Sequence, residues 1–418
     1  DLNTPLIIMD GFEISLTKLM DYNDDEIESI NIMKDASATA IYGSRGANGV
    51  IVVTTKRPEV GRLKVQAEVG LQIEAPDLSS YNLLNAAEKL ELERTVGLYD
   101  AASAVYQLKR QQAYADKLAL VNSGVNTDWI AKPVHTGVGQ NYKLRVEGGA
   151  NEFRWGVSLS YNNITGAMKG SERNNFNGGI TLMYNKKNIA IRNYTSIGIN
   201  KSINSPYGQF STYTKMQPYY SPYDAEGNII KYLPNFYMSS NDELNPLFDA
   251  SLNSKDETGY QEIANNFAID WTIIEGLILR GQFGISSNIG TSDKFLPAAH
   301  SAFAKYTGDD IMRKGSYTKG DSHTNNIDGT ITLSYNKLFA DKHLLYVGLN
   351  YEIFSSNYEN NLYGAEGFFS ENQNNIGNAV QYTNGGKPSS VSTKSHRIGF
   401  TGNANYTYDN RYFVDLSY

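Results

Sequence analysis

A glycine-rich segment, AIYGSRGANGVIVVTT over residues 40–55, is the first part of the sequence whose residue types could do chemistry. Gly43, Gly46 and Gly49 recur at every third position, and Arg45 lies among them. Glycine-rich turns can hold phosphate, because backbone N–H groups approach an anion closely where no Cβ intervenes. The segment therefore presents three alternatives: a phosphate site, a sugar site or a structural turn.

The order of elements around these glycines argues against a nucleotide site. A Walker loop ends in Gly-Lys-Ser/Thr, whereas an apolar residue follows Gly49. A dinucleotide fingerprint follows a strand and opens a helix. Here a helix predicted over residues 35–42 comes first, and a strand over residues 50–55 follows. We interpret the segment as structural: Gly43 ends the helix, and Gly46 and Gly49 turn the chain.

Other reactive residue types form no catalytic or metal-binding pattern. The chain has no cysteine, and its five histidines are scattered rather than spaced as zinc ligands. Acids cluster over residues 24–28, but helix capping and solvation explain such a cluster. No paired carboxylates, Ser-His-Asp set or Cys-His set has a catalytic spacing. We predict that the protein is not an enzyme and needs neither a metal nor a cofactor.

Composition narrows the class of protein further. The 418 residues include 30 Tyr, 16 Phe and 37 Gly, and the net charge is −7, which argues against nucleic-acid binding. No run of 18 apolar residues exists that could form a transmembrane helix. Transmembrane β-strands remain open, because they need only about ten residues of alternating hydrophobicity.

From residue 62 onward the hydrophobic period is two. In RLKVQAEVGLQIEA, every second residue from Leu63 to Ile73 is apolar and the intervening side chains are mostly polar. This alternation is typical of a strand with one apolar face. It recurs in further segments, and we predict about eleven strands, the last incomplete, near residues 62–74, 139–149, 152–162, 176–184, 189–199, 267–273, 277–285, 327–335, 345–353, 398–408 and 412–418.

The connections between these strands alternate between long and short. Long loops are predicted over residues 76–138, 202–258, 290–322 and 357–393, with a moderate one over 163–173 and short turns between them. Strands joined by tight turns are antiparallel, so the long loops must all emerge at one end. An up-and-down outer-membrane barrel has this arrangement. A soluble sandwich rarely sorts its loops in this way.

Aromatic residues near strand ends fit a membrane-interface girdle, although aromatic residues also favour strands in general.

Residues 1–60 differ from the barrel segments, because short apolar runs there alternate with a helical pattern. Strands are predicted over residues 5–11, 30–34 and 49–56, and a helical turn over 24–30. We therefore divide the chain into a small α+β domain (residues 1–60) and a membrane antiparallel barrel segment (residues 61–418).

The sequence of the first domain resembles one family of proteins. The segment PLIIMDG followed by DDEIESINIMKDASATAIYGSRGANGVIVVTTK, together spanning residues 5–56, resembles the plug signature of SusC/RagA-like TonB-dependent transporters. NTDWIAKPVHTGVGQNYKLRVEGGANEFRWGVSLSYNN (residues 126–163) looks like the early barrel of the same family, and PYYSPYDAEGN (218–228) is also similar.

The resemblance implies a barrel of about 22 strands filled by the plug, a number that plugged outer-membrane transporters have. It implies TonB-dependent import of glycans or oligopeptides across the outer membrane of a Gram-negative, Bacteroidota-like cell. It also implies contacts with TonB, through a segment upstream of residue 1, with outer-membrane lipid, and with a SusD-like lipoprotein on the outer face. We therefore expect the chain to be the plug and first half-barrel of a longer protein.

Within this frame, the signature residues are assigned a structural or gating role: Asp35, Tyr42, Gly43, Arg45, Gly46 and Gly49. We expect Arg45 to pair with an acid of the plug or barrel wall, because an unpaired buried arginine is costly. A plug that must move also favours a polar plug–barrel interface. The helical insertion over residues 77–120 is either a solvated loop helix or a docking surface for the lipoprotein.

Aromatic residues are dense in the second long loop. They could stack on a substrate, or pack against one another or a partner. The candidates for substrate binding are Tyr219, Tyr220, Tyr223, Phe236 and Tyr237. Two other functions stay open: a passive outer-membrane pore or adhesin, and a soluble secreted carbohydrate-binding β-protein. The residues do not distinguish a glycan from a peptide substrate.

Overall fold

The computed structural model describes residues 4–22, 24–34, 46–234, 236 and 243–418. Its N-terminal part is a small sheet domain, which we call the plug. The plug consists of strand β1 (Leu6–Met9), β2 (Phe12–Glu13), helix α1 (Leu16–Asp21), β3 (Ile27–Met33) and β4 (Val50–Thr55). The strand order is β2-β1-β4-β3, with β1 parallel to β4 and the other pairs antiparallel.

The predicted buried strands of the plug are present. Val50 and Val53 on β4 are fully buried, and Ile7 on β1 is almost so, because both strands have apolar neighbours on each face. The helical turn predicted over residues 24–30 is wrong beyond a 3-10 turn at Asp24–Glu26, since the β-branched residues that follow pair with β4. The helix predicted over residues 35–42 lies outside the described residues, as do Asp35, Tyr42, Gly43 and Arg45.

The rest of the chain forms one large antiparallel sheet, which we call the wall. Eleven strands pair in series: β5 (Gly61–Glu74), β6 (Gly137–Gly149), β7 (Phe153–Thr165), β8 (Glu172–Lys186), β9 (Ile189–Ile203), β12 (Lys255–Ile274), β13 (Leu277–Leu296), β14 (Ser316–Phe339), β15 (His343–Glu366), β17 (Ser389–Tyr408) and β18 (Tyr412–Ser417). Three short strands lie in the loops: β10 (Tyr232–Leu233), β11 (Glu243–Leu244) and β16 (Gln381–Tyr382). The predicted mainly-β class and the meander of about eleven strands are confirmed.

The register of the wall gives it one apolar and one polar face. Leu144 lies opposite Leu159, and Tyr161 lies opposite Phe176, so the predicted apolar positions share one face. These side chains are solvent-exposed in the structure, with Ile180 46% and Phe283 46% accessible. The other face is turned toward the plug. Among the described residues β5 and β18 do not pair with each other, so the wall is an open sheet rather than a closed barrel.

The alternation of short and long connections is also present. Tight turns at residues 150–152, 187–188, 275–276, 340–342 and 409–411 lie at one end of the wall, and the longer connections lie at the other. The loops predicted over 290–322 and 357–393 are shorter in the structure, at 297–315 and 367–388. The reason is that polar Ser-, Thr- and Asn-rich segments continue the strand ladder, which makes β14 and β15 each 24 residues long.

The long loops carry the remaining helices. The first contains α2 (Ala86–Thr95) and α3 (Ala104–Asn122), and the second contains α4 (Phe210–Tyr213) and α5 (Pro246–Ser251). Short 3-10 turns occur at Ser301–Phe303, Gly308–Arg313 and Ile376–Asn378. No helix in the described part of the chain has the length and apolar character to cross a membrane.

Gly49 is a structural turn residue, as the element order predicts. Its φ is +89°, its N–H donates to the Gly46 carbonyl at 2.9 Å, and its own carbonyl accepts from Leu6 N at 3.1 Å. A Cβ at this position would lie 3.1 Å from the Met33 carbonyl oxygen. Gly49 therefore lies where β1, β3 and the start of β4 meet. Glycine suits this position, because it tolerates both the left-handed backbone and the close approach of the Met33 carbonyl.

We predict that Gly49→Ala loosens the plug. A left-handed non-glycine residue costs about 1–2 kcal/mol, so exchange of the Leu6 amide hydrogen should accelerate about tenfold in the parent protein. Gly124→Ala is the matched control: Gly124 lies in a loop and also has a positive φ, of +91°, but a Cβ there would have nothing within 4 Å. Equal exchange at Leu6 in both variants would contradict the structural role.

Candidate functional site

Helix α1 is one of the plug elements that touch the wall, and it was not predicted from the sequence. Ser15 caps the helix by accepting from Lys18 N at 3.1 Å, and Asp21 is its last residue. A serine followed by Leu16 and Leu19 at helical spacing is a start signal that could have revealed it. The helix is short, yet it carries Lys18 and Asp21 to the wall.

Asp21 is the centre of the contact. Its residue surface is only 4% exposed. Arg173 Nη2 donates to both carboxylate oxygens at 2.7 Å, and Asn175 Nδ2 donates at 3.1 Å. The Tyr260 hydroxyl donates at 2.5 Å, and Asn177 donates to the Asp21 backbone carbonyl at 2.9 Å. One plug carboxylate thus joins strands β8 and β12, and its buried charge is compensated by a guanidinium and neutral donors.

Further polar pairs surround Asp21, and we call the whole set the plug–wall contact. Lys18 forms an ion pair with Glu262 on β12. The hydroxyls of Tyr22 and Tyr194 lie 3.0 Å apart. Burial, and then the nearby Tyr194 and Glu26, raise the pKa of Tyr22 well above its usual range, so Tyr22 remains a neutral hydroxyl.

The contact continues along the wall on both sides. Arg192 of β9 lies 3.7 Å from the Asp10 carboxylate and also donates to the Asp10 carbonyl at 3.3 Å. Lys143 of β6 pairs with Asp24, at 3.3 Å, and with Asp25. The hydrogen bond from Lys143 lowers the pKa of Asp25, which favours its ionised form. These contacts are polar, in agreement with the polar interface expected from the sequence.

The long loops form a second feature, which we call the loop unit: the described residues of 75–136 and 204–254. Its apolar core combines both loops with helices α2, α3 and α5, and consists of Ala86, Leu90, Tyr99, Ala113, Trp129, Tyr213, Tyr219, Tyr220, Leu233, Phe236 and Leu247. Trp129 Nε1 donates to the Gln217 carbonyl at 2.9 Å, so this side chain also ties the first loop to the backbone of the second.

The loop unit contains a buried ion pair within its first loop, and Tyr219 of the second loop contacts both of its members. Lys117 of α3 lies 3.3 Å from Glu93 of α2, and the two side chains are 4% and 9% exposed. Tyr99 and Tyr219 donate hydroxyl hydrogen bonds to Glu93 at 2.5 and 2.9 Å, and Lys117 donates to both hydroxyls. Burial lowers the pKa of Lys117 and raises the pKa of Tyr219. The neighbouring Glu93 opposes the effect of burial on Lys117, because its negative charge favours the charged form of the lysine.

Three of the five candidate substrate residues lie in the apolar core of the loop unit. Tyr219, Tyr220 and Phe236 are 2%, 8% and 8% exposed, so their ring faces are covered by the loop core. Tyr223 is 40% exposed, and Tyr237 lies outside the described residues. Self-packing, one of the alternatives for these aromatics, therefore describes the three buried residues. Substrate contact stays a prediction, and for those three it requires the loop core to open.

The described residues contain no group of three or more His, Cys, Asp or Glu that could hold a metal ion. Four residues of the glycine signature lie outside the described part, and Gly46 and Gly49 are in the plug turn. Neither glycine touches the plug–wall contact. The described part of the signature, the turn at Gly46 and Gly49, is therefore separate from the plug–wall contact.

Comparison with known proteins agrees with this architecture. No protein-family model matches the chain. The chain is 28% identical to TonB-dependent receptor P3 of Formosa agariphila over 99% of its own length and 38% of that relative. It is 33% identical to TonB-dependent receptor SusC of Bacteroides thetaiotaomicron over 43% of its length and 17% of that relative. The chain thus spans about two fifths of the length of P3.

Solved structures share the fold. The structure of the RagAB peptide transporter aligns with 99% of this chain and 48% of its own, with a TM-score of 0.78 and 19% identity. The unliganded ferric citrate transporter FecA aligns with 100% of this chain and 50% of its own, with a TM-score of 0.54 and 10% identity. The shared fold is a small sheet domain against the polar face of an antiparallel meander. The chain is similar in sequence to TonB-dependent receptors, SusC among them, and this similarity supports its resemblance to the SusC/RagA-like family.

We predict that Asp21→Asn weakens the hold of the wall on the plug. Removing one charge of a fully buried pair costs about 3–5 kcal/mol. The cost here is smaller, because the Arg173 side chain that loses its counter-ion is 36% exposed to water. Pulling the plug out of the parent protein by its N-terminal side should need clearly less force in single-molecule experiments. Asp24→Asn is the matched control, since the Asp24 side chain is 90% exposed and its pair is at the surface. A similar loss of force in both variants would show that Asp21 is not the centre of the contact.

We predict that Lys117→Met opens the loop unit, because the buried Glu93 then keeps only the partly exposed Lys89, 3.7 Å away, as a cation. A cost of about 3 kcal/mol corresponds to roughly a hundredfold faster proteolysis within residues 204–254. Lys109→Met is the control, because Lys109 is exposed on the same helix. The double variant Lys117→Met with Glu93→Gln should recover most of the protection, since no buried charge then lacks a partner and Lys89 is partly exposed to water. Failure of the double variant to recover would assign the effect to packing instead of charge.

Proposed function

We propose that the protein to which this chain belongs imports a nutrient across the outer membrane in a TonB-dependent manner. The observation that carries the proposal is the plug–wall contact: a plug held by polar and ionic pairs centred on Asp21. Hydrogen bonds with the wall can be exchanged for hydrogen bonds with water. Such a contact can therefore hold a plug at rest and release it under force.

The outward face of the wall supports a location in lipid. Alternate residues on neighbouring strands are apolar and exposed, as in Leu144, Ile180 and Phe283. A continuous apolar band on an antiparallel meander is what the hydrocarbon region of an outer membrane requires. The protein would then be a multi-pass barrel of a Gram-negative outer membrane, with the loop unit outside and the tight turns in the periplasm.

In the mechanism we propose, a substrate is captured among the outer loops beneath a SusD-like lipoprotein. TonB then pulls on the region that precedes the plug, breaks the plug–wall contact and opens a path. The loop unit supports this, because its buried ion pair keeps α2 and α3 as one ordered surface that a lipoprotein could contact. Residues of this chain supply positioning and gating, and the proposal includes no catalysis and no cofactor.

The substrate class remains either glycan or oligopeptide in this proposal. Among the aromatic candidates, Tyr223 is the exposed one, so it is the residue that we propose to test first for substrate contact. A passive pore is disfavoured, because the buried charge of Asp21 holds the plug against two strands of the wall, and a permanently open channel does not need a bound plug. A soluble secreted protein is disfavoured by the exposed apolar face of the wall.

The proposal is tested by preventing plug movement. The 418-residue chain has no cysteine, so an introduced pair has no competing thiol within it. We predict that Lys18→Cys with Glu262→Cys, joined by a short bismaleimide reagent in cells that express the parent protein, abolishes TonB-dependent growth on the substrate. The two side chains form an ion pair at rest, so the cross-link fixes the resting arrangement.

Each single-cysteine variant treated with the same reagent is the control, because it is labelled but not bridged. Growth should persist in both single variants. Undiminished uptake by the bridged protein would mean that this contact does not open during transport. Partitioning of the intact parent protein into the aqueous phase without detergent would overturn the proposal of a membrane barrel.

A further inference from the structure

A cavity of about 600 Å³ lies between the plug and the wall, close to the tight-turn end. Its wall side is lined by two rows of cross-strand neighbours that share the inner face. Arg154, Met183 and Arg192 form one row, because Arg154 pairs with Met183 and Met183 with Arg192. The second row, nearer the turns, includes Asp270 opposite Arg280.

Positive charge dominates the lining of this cavity. Its guanidinium groups are Arg57, Arg154, Arg192 and Arg280, and its carboxylates are Asp10 and Asp270. The surplus is two positive charges in a chain whose net charge is −7. A cleft lined by one sign of charge concentrates counter-ions of the other sign.

The two acids are already paired with two of the arginines. Arg280 Nε lies 2.5 Å from Asp270, and Arg192 lies 3.7 Å from Asp10. Arg154 has no carboxylate partner among the described residues: its Nη1 donates to the Pro58 carbonyl at 3.1 Å, and its buried Nε has no hydrogen-bond partner in that part of the chain. Arg57 is exposed at the same cavity, and no described acid pairs with it.

We propose that this cavity binds solutes that carry oxyanion groups, with Arg57 and Arg154 as the binding cations. The inference rests on the proposed function, since the tight-turn end is then the periplasmic end, where a solute leaves the plug region. A guanidinium offers parallel N–H donors that match a carboxylate or sulfate, and its charge is permanent. The transported solute is therefore an acidic peptide or an acidic sugar. Either solute would present an oxyanion group to Arg57 and Arg154.

The test uses the detergent-solubilised parent protein and four defined probes. Hexaglutamate and a hexameric galacturonate carry carboxylates on a peptide and on a sugar, and hexaglutamine and maltohexaose are their neutral counterparts. We expect calorimetric titration to show at least one acidic probe binding more tightly than its neutral counterpart. Higher salt should weaken that binding, because the interaction is ionic and the cavity is open to water. The acidic probe that binds more tightly identifies the source.

The variants Arg57→Gln and Arg154→Gln should each lower the affinity for the acidic probe about fivefold, as expected for loss of one charge contact in a hydrated site. Arg411→Gln is the matched control, because Arg411 is in a tight turn at the same end, is 76% exposed and does not line the cavity. Arg57 is exposed, so its variant retains the fold even where the Arg154 variant does not.

Two results overturn the inference: equal or tighter binding of the neutral probes, and unchanged affinity for the acidic probe in Arg57→Gln. Absence of binding by both acidic probes overturns it as well. None of these results bears on import itself, because the titration needs neither TonB nor plug movement. Import is judged separately, by the cross-linking of Lys18 to Glu262.

Discussion

The buried carboxylate of Asp21 is the interaction on which the arrangement of plug and wall depends. A charge with 4% exposure is stable only if its surroundings replace water, and here Arg173, Asn175 and Tyr260 do so from two strands. Because these donors come from β8 and β12, they fix the direction from which the Asp21 carboxylate meets the wall. An apolar contact of equal area would also hold the plug to the wall, but it would not fix the orientation of the plug, because the hydrophobic effect is not directional.

The same physical device recurs in the loop unit with a different consequence. Glu93 accepts from Tyr99 and Tyr219 and faces Lys117, so residues from two separate loops share one buried charge pair. Buried ion pairs contribute little net stability, but breaking one is costly. The loops are therefore ordered as a unit, and the buried aromatic residues of the second loop pack its core: Tyr213, Tyr219, Tyr220 and Phe236. Tyr223 remains at the surface.

The distribution of charge distinguishes the two ends of the plug region. Around Asp21 the described charges are paired: Lys18 with Glu262, and Arg173 with Asp21 itself. At the tight-turn end the lining contains four arginines and two acids, and Arg154 has only a carbonyl as a described partner. A surplus of fixed positive charge in a hydrated cavity attracts anions without binding them irreversibly, because water screens the interaction.

Much of the fold could be predicted from the sequence, since alternation of apolar and polar residues is a local property. The register of Leu144 with Leu159, and the tight turns near residues 187–188 and 275–276, follow from that alternation and from turn residues. The strand lengths could not be predicted well, because polar strand residues in β14 and β15 resemble loop residues until a neighbouring strand provides hydrogen-bond partners.

By itself, the sequence determined the mainly-β class, the sorted loops and the resemblance to one family. Each of these depends on residues that are close together in the chain. Only the tertiary structure decided which charges meet. Asp21 and Tyr260 are 239 positions apart, and their 2.5 Å hydrogen bond exists because the plug packs against the polar face of the wall. Long-range pairing of buried charges depends on the assembled strands, so no periodicity in the sequence records it.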